Sequence, residues 1–149
     1  MSDWRIPSQT ALKHYRVVVV SAEFNKEYSD LLLKNTLEGI SSCGIAPHSV
    51  TVVRVPGSFE LPFACARFLN SGNYDGIIAL GILLRGATSH FEHVARATAQ
   101  GIQELNLRGN IPVIFGVLTC DTPQQIEERL VLGNNFANAV VQMMNFSGA

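Results

Sequence analysis

The chain has 149 residues, 47% of them hydrophobic and 15% charged, which fits one domain with a substantial core and leaves no room for a second catalytic domain. Eleven Lys plus Arg against twelve Asp plus Glu give a formal net charge of −1, so bulk attraction to nucleic acid or anionic lipid is excluded. The longest apolar runs, Val17 to Val20 and Gly76 to Leu84, fall far short of the roughly 20 residues that a membrane-spanning helix needs.

Residues 1–14 contain Pro7 and little periodicity and read as an N-terminal arm, with the domain occupying residues 15–149. From Tyr15 onward, β-branched apolar runs alternate with segments of helical period. Arg16-VVVVSA-Glu23, Ser49-VTVVRV, Asp75-GIIALGILL and Ile111-PVIFGVLT read as strands buried on both faces, as in a parallel sheet. The first helix covers Asn25–Cys43, with Leu31, Leu32, Leu37 and Ile40 at helical spacing and Gly44 suited to a left-handed C-terminal position. Phe59–Asn70 is the second helix. Thr88–Leu107 is the third, where Ser89-His-Phe-Glu92 matches a capping box. Thr122-Pro-Gln-Gln125 opens a fourth, with Thr122 as N-cap, Pro123 at the first helical position and Gln125 completing a box. Residues 134–146 form the last. Four strand–helix alternations predict an α/β fold: a doubly wound, four-stranded parallel sheet flanked by helices, a flavodoxin-like three-layer sandwich. The low charge further predicts surface buried against other copies of the chain. Cys43, Cys65 and Cys120 lack C-x-x-C spacing and any adjacent basic residue. They read as small buried apolar groups in a reduced, cytoplasmic protein.

In such a sheet, ligands bind beyond the carboxyl ends of the strands. That rule selects Ser21–Asn25, Pro56–Pro62, Leu84–His90 and Thr119–Asp121. Phe24 and Phe59 lie in turns past the strand ends, where each either packs between helix and sheet or stacks on a flat heteroaromatic ring. Glu60 either accepts hydrogen bonds from ligand hydroxyls or caps the following helix. Arg85-Gly-Ala-Thr-Ser puts small residues at a helix start, where free amides either hold an anion such as phosphate or are simply capped. It matches neither a GxxxxGK[ST] loop nor a GxGxxG fingerprint. His90, in the first turn of that helix, can exchange protons near neutral pH. His93 follows at i+3, but two imidazoles on one helix do not make a zinc set, so no metal is expected and His93 reads as structural. Arg129 either pairs with a phosphate or is a solvated helix charge.

VPGSFELPFA, ALGILLRGATSHFEHVA and PVIFGVLT followed by QQIEER occur in this order, and the chain from about Arg16 to Arg129 resembles the lumazine synthase family of riboflavin biosynthesis. The resemblance implies condensation of 5-amino-6-ribitylaminouracil with 3,4-dihydroxy-2-butanone 4-phosphate to 6,7-dimethyl-8-ribityllumazine, with no cofactor or metal. It also implies a homo-oligomer, either a pentamer or an icosahedral assembly of pentamers, with active sites between subunits. By the same resemblance Phe24 stacks on the pyrimidine, and Ser58, Phe59 and Glu60 hold the ring and the ribityl chain. The backbone of Ile82, Leu83 and Leu84 contacts the pyrimidine. Gly86, Ala87 and Thr88 cradle the phosphate, Arg129 pairs with it, His90 transfers protons, and Phe115 comes from the neighbouring subunit. Ile82 stands where relatives often have Thr or Ser. A larger departure follows Arg129. Relatives continue with a segment like AGxKxGNKG, whereas Leu130–Asn138 is shorter and has no lysine. Asn135 takes the nearest position without supplying charge. The alternative motivated by that loss is a non-catalytic homologue that binds riboflavin or a lumazine.

Overall fold

The computed structural model describes residues 14–146. Most of the expected arm, residues 1–13, and residues 147–149 of the expected domain lie outside them. Four strands, β1 (Val17–Ala22), β2 (Val50–Val55), β3 (Gly76–Leu84) and β4 (Val113–Cys120), alternate with α1 (Lys26–Ser42), α2 (Leu61–Ser71), α3 (His90–Leu107), α4 (Pro123–Arg129) and α5 (Leu132–Met144). All pairings are parallel, in the order β2-β1-β3-β4. The expected α/β class, strand number and three-layer arrangement are therefore present.

Strand alternation sorts the core into two layers. Val17 and Val19 of β1, Ile78, Leu80 and Ile82 of β3, and Leu118 of β4 face Leu32 and Ile40 of α1 and Val140 and Val141 of α5. The opposite parity, Val18, Val20, Ile77, Ala79, Val113 and Val117, faces Leu61, Cys65 and Leu69 of α2 and Ile102 and Leu105 of α3. Every residue of β1 is buried, as two covered faces require. β2 departs from that expectation: none of its residues is fully buried, and Thr51, Val52 and Arg54 are exposed, Val52 to 41%. Its position is the reason, since it is an edge strand bonded on one side only.

Local signals set most boundaries. Gly44 and Gly72, which follow α1 and α2, have φ of 96° and 75°, a conformation that costs glycine nothing. At α4 the Thr122 hydroxyl accepts the Gln125 N–H at 3.2 Å, and the Gln125 side-chain oxygen accepts the N–H of Asp121 at 2.7 Å. The reciprocal cap is there, shifted by one residue from the expected box. The box expected at Ser89 and Glu92 does not form: Ser89 is the N-cap of α3 without a side-chain cap bond. All three cysteines are free and buried, and burial pushes the Cys65 thiol up to about 12.

Helices α1 and α5 meet at glycine. A Cβ on Gly133 would lie 2.7 Å from the Thr36 backbone nitrogen and 2.8 Å from the Asn35 Cβ, both on a rigid helix. Gly133→Ala gains about 1 kcal/mol of helix propensity but forces the helices apart. The clash should prevail, for a net loss of about 1–3 kcal/mol in urea unfolding; unchanged or raised stability would contradict this packing.

Candidate active site

The order β2-β1-β3-β4 reverses the winding direction between β1 and β3, and a crevice opens where the connections leave to opposite sides. The hydrogen bonds show how. Ladder pairing of β1 with β3 ends at Ser21 and Leu80. Beyond it the chain after β1 leans towards β2: the Glu23 N–H donates to the Val55 carbonyl at 2.8 Å and the Phe24 N–H to the Pro56 carbonyl at 3.0 Å. Asn25 then adopts φ 61°, ψ 51°, and its side-chain amide donates to the Ile82 carbonyl at 3.1 Å. One bond thus closes the floor of the gap while Phe24 is held at its lip.

A cavity of about 640 Å³ fills this gap. It brings together Phe24 from the loop after β1, Ser58, Phe59 and Glu60 from the turn after β2, Ile82, Leu83 and Leu84 from the end of β3, and Gly86, Thr88 and His90 from the start of α3. Phe24 and Phe59 are 69% and 62% exposed, so neither ring is spent on packing between helix and sheet. Glu60 precedes α2 without a side-chain cap bond, which leaves its carboxylate to the cavity. The turn that carries it is braced from beneath. The Thr98 hydroxyl of α3 lies 3.2 Å from the Ser58 carbonyl, shared with the Val94 carbonyl at 2.7 Å. A Cβ on Gly81 would press on the Ser58 Oγ, so glycine there lets the turn lie on β3 without displacing that hydroxyl.

At α3 the His90 N–H donates to the Thr88 hydroxyl at 3.3 Å. The N–H groups of Phe91 and Glu92, in the first turn, have no intrahelical acceptor. Small residues before them keep the backbone accessible. The apolar walls and amide-rich end suit a ligand that is flat at one end and anionic at the other.

Three residues named for the site do not line this cavity, of which Phe115 was expected in the site of a neighbouring subunit. Ala87 is absent from its wall, between Gly86 and Thr88 which are in it. Phe115 projects from β4 and is 38% exposed. Arg129 lies on α4, where its guanidinium donates to the Gln125 carbonyl at 3.1 Å and stands 3.9 Å from the Glu128 carboxylate. Its charge acts on Cys120, lowering a thiol pKa that burial raises more strongly. The β4 loop, Thr119–Asp121, also stays out of the wall. Asn135 is exposed on α5 and does not reach the cavity. Among the described residues, no lysine or arginine lines it, and no group of His, Cys, Asp or Glu is arranged to hold a metal ion.

Asn25 and Gly57, inside the selected loops but given no role, also line the cavity, as do Phe91, His93 and Val94. His93 was expected to be structural; its spacing of three from His90 was the available signal, because that spacing shares a helix face.

Residues 14–147 match the family model described as 6,7-dimethyl-8-ribityllumazine synthase. Three relatives bearing that same description cover nearly the whole chain. One from Parabacteroides distasonis is 38% identical, covering 99% of this chain and 95% of the relative. One from Desulfovibrio desulfuricans is 39% identical, at 93% and 90% coverage, and one from Phocaeicola vulgatus is 37% identical, at 98% and 90%.

The dual role of Asn25 is testable. Asn25→Ala removes both the bond to Ile82 and the tolerance for positive φ, and should lower stability by about 1–3 kcal/mol. Asn25→Gly keeps the backbone conformation and loses only the bond, so its loss in thermal unfolding should be smaller. The opposite order would refute this account of the lip.

Proposed function

The chain belongs to the 6,7-dimethyl-8-ribityllumazine synthase family of riboflavin biosynthesis, and we propose that the cavity between β1 and β3 condenses 5-amino-6-ribitylaminouracil with 3,4-dihydroxy-2-butanone 4-phosphate. The observation that carries this reading is the joining, in one cavity, of two exposed aromatics, an uncapped carboxylate and a histidine beside an amide-rich helix start. Phe24 and Phe59 offer faces for the pyrimidine, Glu60 accepts the ribityl hydroxyls, and the backbone of Ile82, Leu83 and Leu84 meets the ring edge. The phosphate lies against the amides of Gly86, Ala87 and Thr88 and the first turn of α3.

The chemistry asks for proton movement and a held leaving group rather than a strong nucleophile. The uracil amine adds to the ketone and one water departs as the imine forms. Removal of a carbon-bound proton then expels phosphate, and the ribitylamino nitrogen closes the ring with loss of a second water. His90 lies between the ring and phosphate ends and takes and returns these protons. Every step is a proton transfer or an addition–elimination, so the route calls for no metal or cofactor. Alignment of the two substrates supplies much of the acceleration.

Among the described residues, a single copy offers the phosphate no cationic partner in the cavity wall. We assign that charge to Arg129 of an adjacent subunit, with Phe115 from the same neighbour over the ring. Both side chains lie on the β4 side, away from their own cavity, and Phe24, Phe59, Phe63 and Val131 are exposed apolar groups that a neighbour would cover. The assembly is a homo-oligomer, a pentamer or an icosahedral shell of pentamers. With no lysine in Leu130–Asn138, Arg129 and the amides alone hold the phosphate. The absent lysine is the sole feature favouring a binding-only homologue.

Lumazine formation followed by absorbance, corrected for the uncatalysed reaction, tests both parts. His90→Ala should slow turnover by about 10²–10⁴-fold without abolishing it; unchanged turnover would remove the proton-transfer role. Arg129→Ala should weaken the butanone phosphate by about 1.5–3 kcal/mol. Coexpression of the two variants should give assemblies more active than either alone, because some interfaces join an intact His90 to an intact Arg129. Activity no higher than the parents would contradict a site shared between subunits.

A further inference from the structure

The first turn of α3 presents a contradiction between its sequence and its structure. Ser89 and Glu92 have the spacing at which the glutamate accepts the Ser89 backbone N–H and the serine hydroxyl accepts the Glu92 backbone N–H. Neither bond is made. Glu92 is instead bound by the Arg85 guanidinium. The same guanidinium donates through Nε to the Asp121 carboxylate at 2.7 Å and lies 4.6 Å from the centre of the Phe91 ring. The Arg85 N–H also donates to the Cys120 carbonyl at 2.9 Å. One arginine thus ties the end of β3 to the end of β4 and to the start of α3, spanning the turn Gly86–Ser89.

The three side chains are 44%, 50% and 60% exposed, and ion pairs this accessible add little to stability. Their geometric consequence is larger. With Glu92 drawn to Arg85, the Ser89 and Glu92 N–H groups have no side-chain acceptor among the described residues. Ser89 and Glu92 do not line the cavity themselves but flank Thr88, His90 and Phe91, which do. The carboxylate that would otherwise compete for these donors, and repel an anion, is neutralised. Asp121 and the Cys120 carbonyl anchor the clamp rather than joining the cavity wall.

We propose that Arg85 is a positioning residue for the phosphate end of the site: it withholds Glu92 from the capping box and so keeps the first-turn amides of α3 open to the phosphate of the butanone substrate. The inference rests on the phosphate placement given under the proposed function. Arg85 touches no substrate; it acts through Glu92 and through the shape of the 86–89 turn.

Steady-state kinetics of the full-length assembly separate this role from a structural one. Arg85→Met frees Glu92 to cap the helix, and should raise the KM for butanone phosphate about tenfold. The KM for the ribitylaminouracil and kcat should stay within about twofold. Arg85→Met combined with Glu92→Ala has no carboxylate to swing back and should recover most of the lost affinity. An unchanged KM in the single variant, or no recovery in the double, overturns the clamp. Arg129→Ala reports on the phosphate placement itself. If it raises that KM while Arg85→Met does not, only the clamp fails; if it does not, the placement fails and the clamp with it.

Discussion

The site depends on the point where β1 and β3 stop pairing. Up to Ser21 and Leu80 the two strands share a ladder; beyond it the chain after β1 bonds to β2, and β3 runs on alongside β4 as far as Leu84 and Cys120. Two parallel strands whose connections leave to opposite faces cannot both be covered at their ends. Everything else in the cavity is a means of holding that gap open at a useful width. The Asn25 side chain spans it to Ile82, Thr98 and Gly81 seat the Ser58–Glu60 turn on its far side, and Arg85 fixes the turn that leads into α3.

The electrostatics follow from the same arrangement. A phosphate-bearing substrate meets a cavity with no lysine or arginine in its wall among the described residues. In the proposed reading, backbone amides at the helix start carry part of the load, because their dipoles are fixed and need no reorganisation. The remaining charge comes across a subunit boundary in the proposed assembly. In that proposal activity is a property of the oligomer, and a neighbour would cover the exposed Phe24 and Phe59.

Periodicity made the fold legible. Strands buried on both faces are written in runs such as VVVV and GIIALGILL, and the rule about strand ends then pointed to three of the loops that build the cavity. What sequence could not supply was context over longer distances. The β2 run reads like β1, yet it lies at an edge, and edge position is decided by chain order in the sheet. SHFE is a sound capping box by spacing, but Arg85 outcompetes the local partner by offering Glu92 an ion pair. Arg129 was expected in the site, and Phe115 in a neighbour's, on the strength of family resemblance alone, and one copy of the chain holds both away from its own cavity. No local pattern marks the subunit to which a side chain belongs. His93, by contrast, was readable: its place three residues after His90 put it on the same face.

A crystal structure of the assembled protein with the ribitylaminouracil and inorganic phosphate bound tests the central claim most directly. The account predicts the pyrimidine against Phe24, its ribityl hydroxyls at Glu60, and phosphate within hydrogen-bond distance of the Gly86–Thr88 amides and of Arg129 from the adjacent subunit. Phosphate bound away from the start of α3, or met by Arg129 of the same chain as His90, would contradict it.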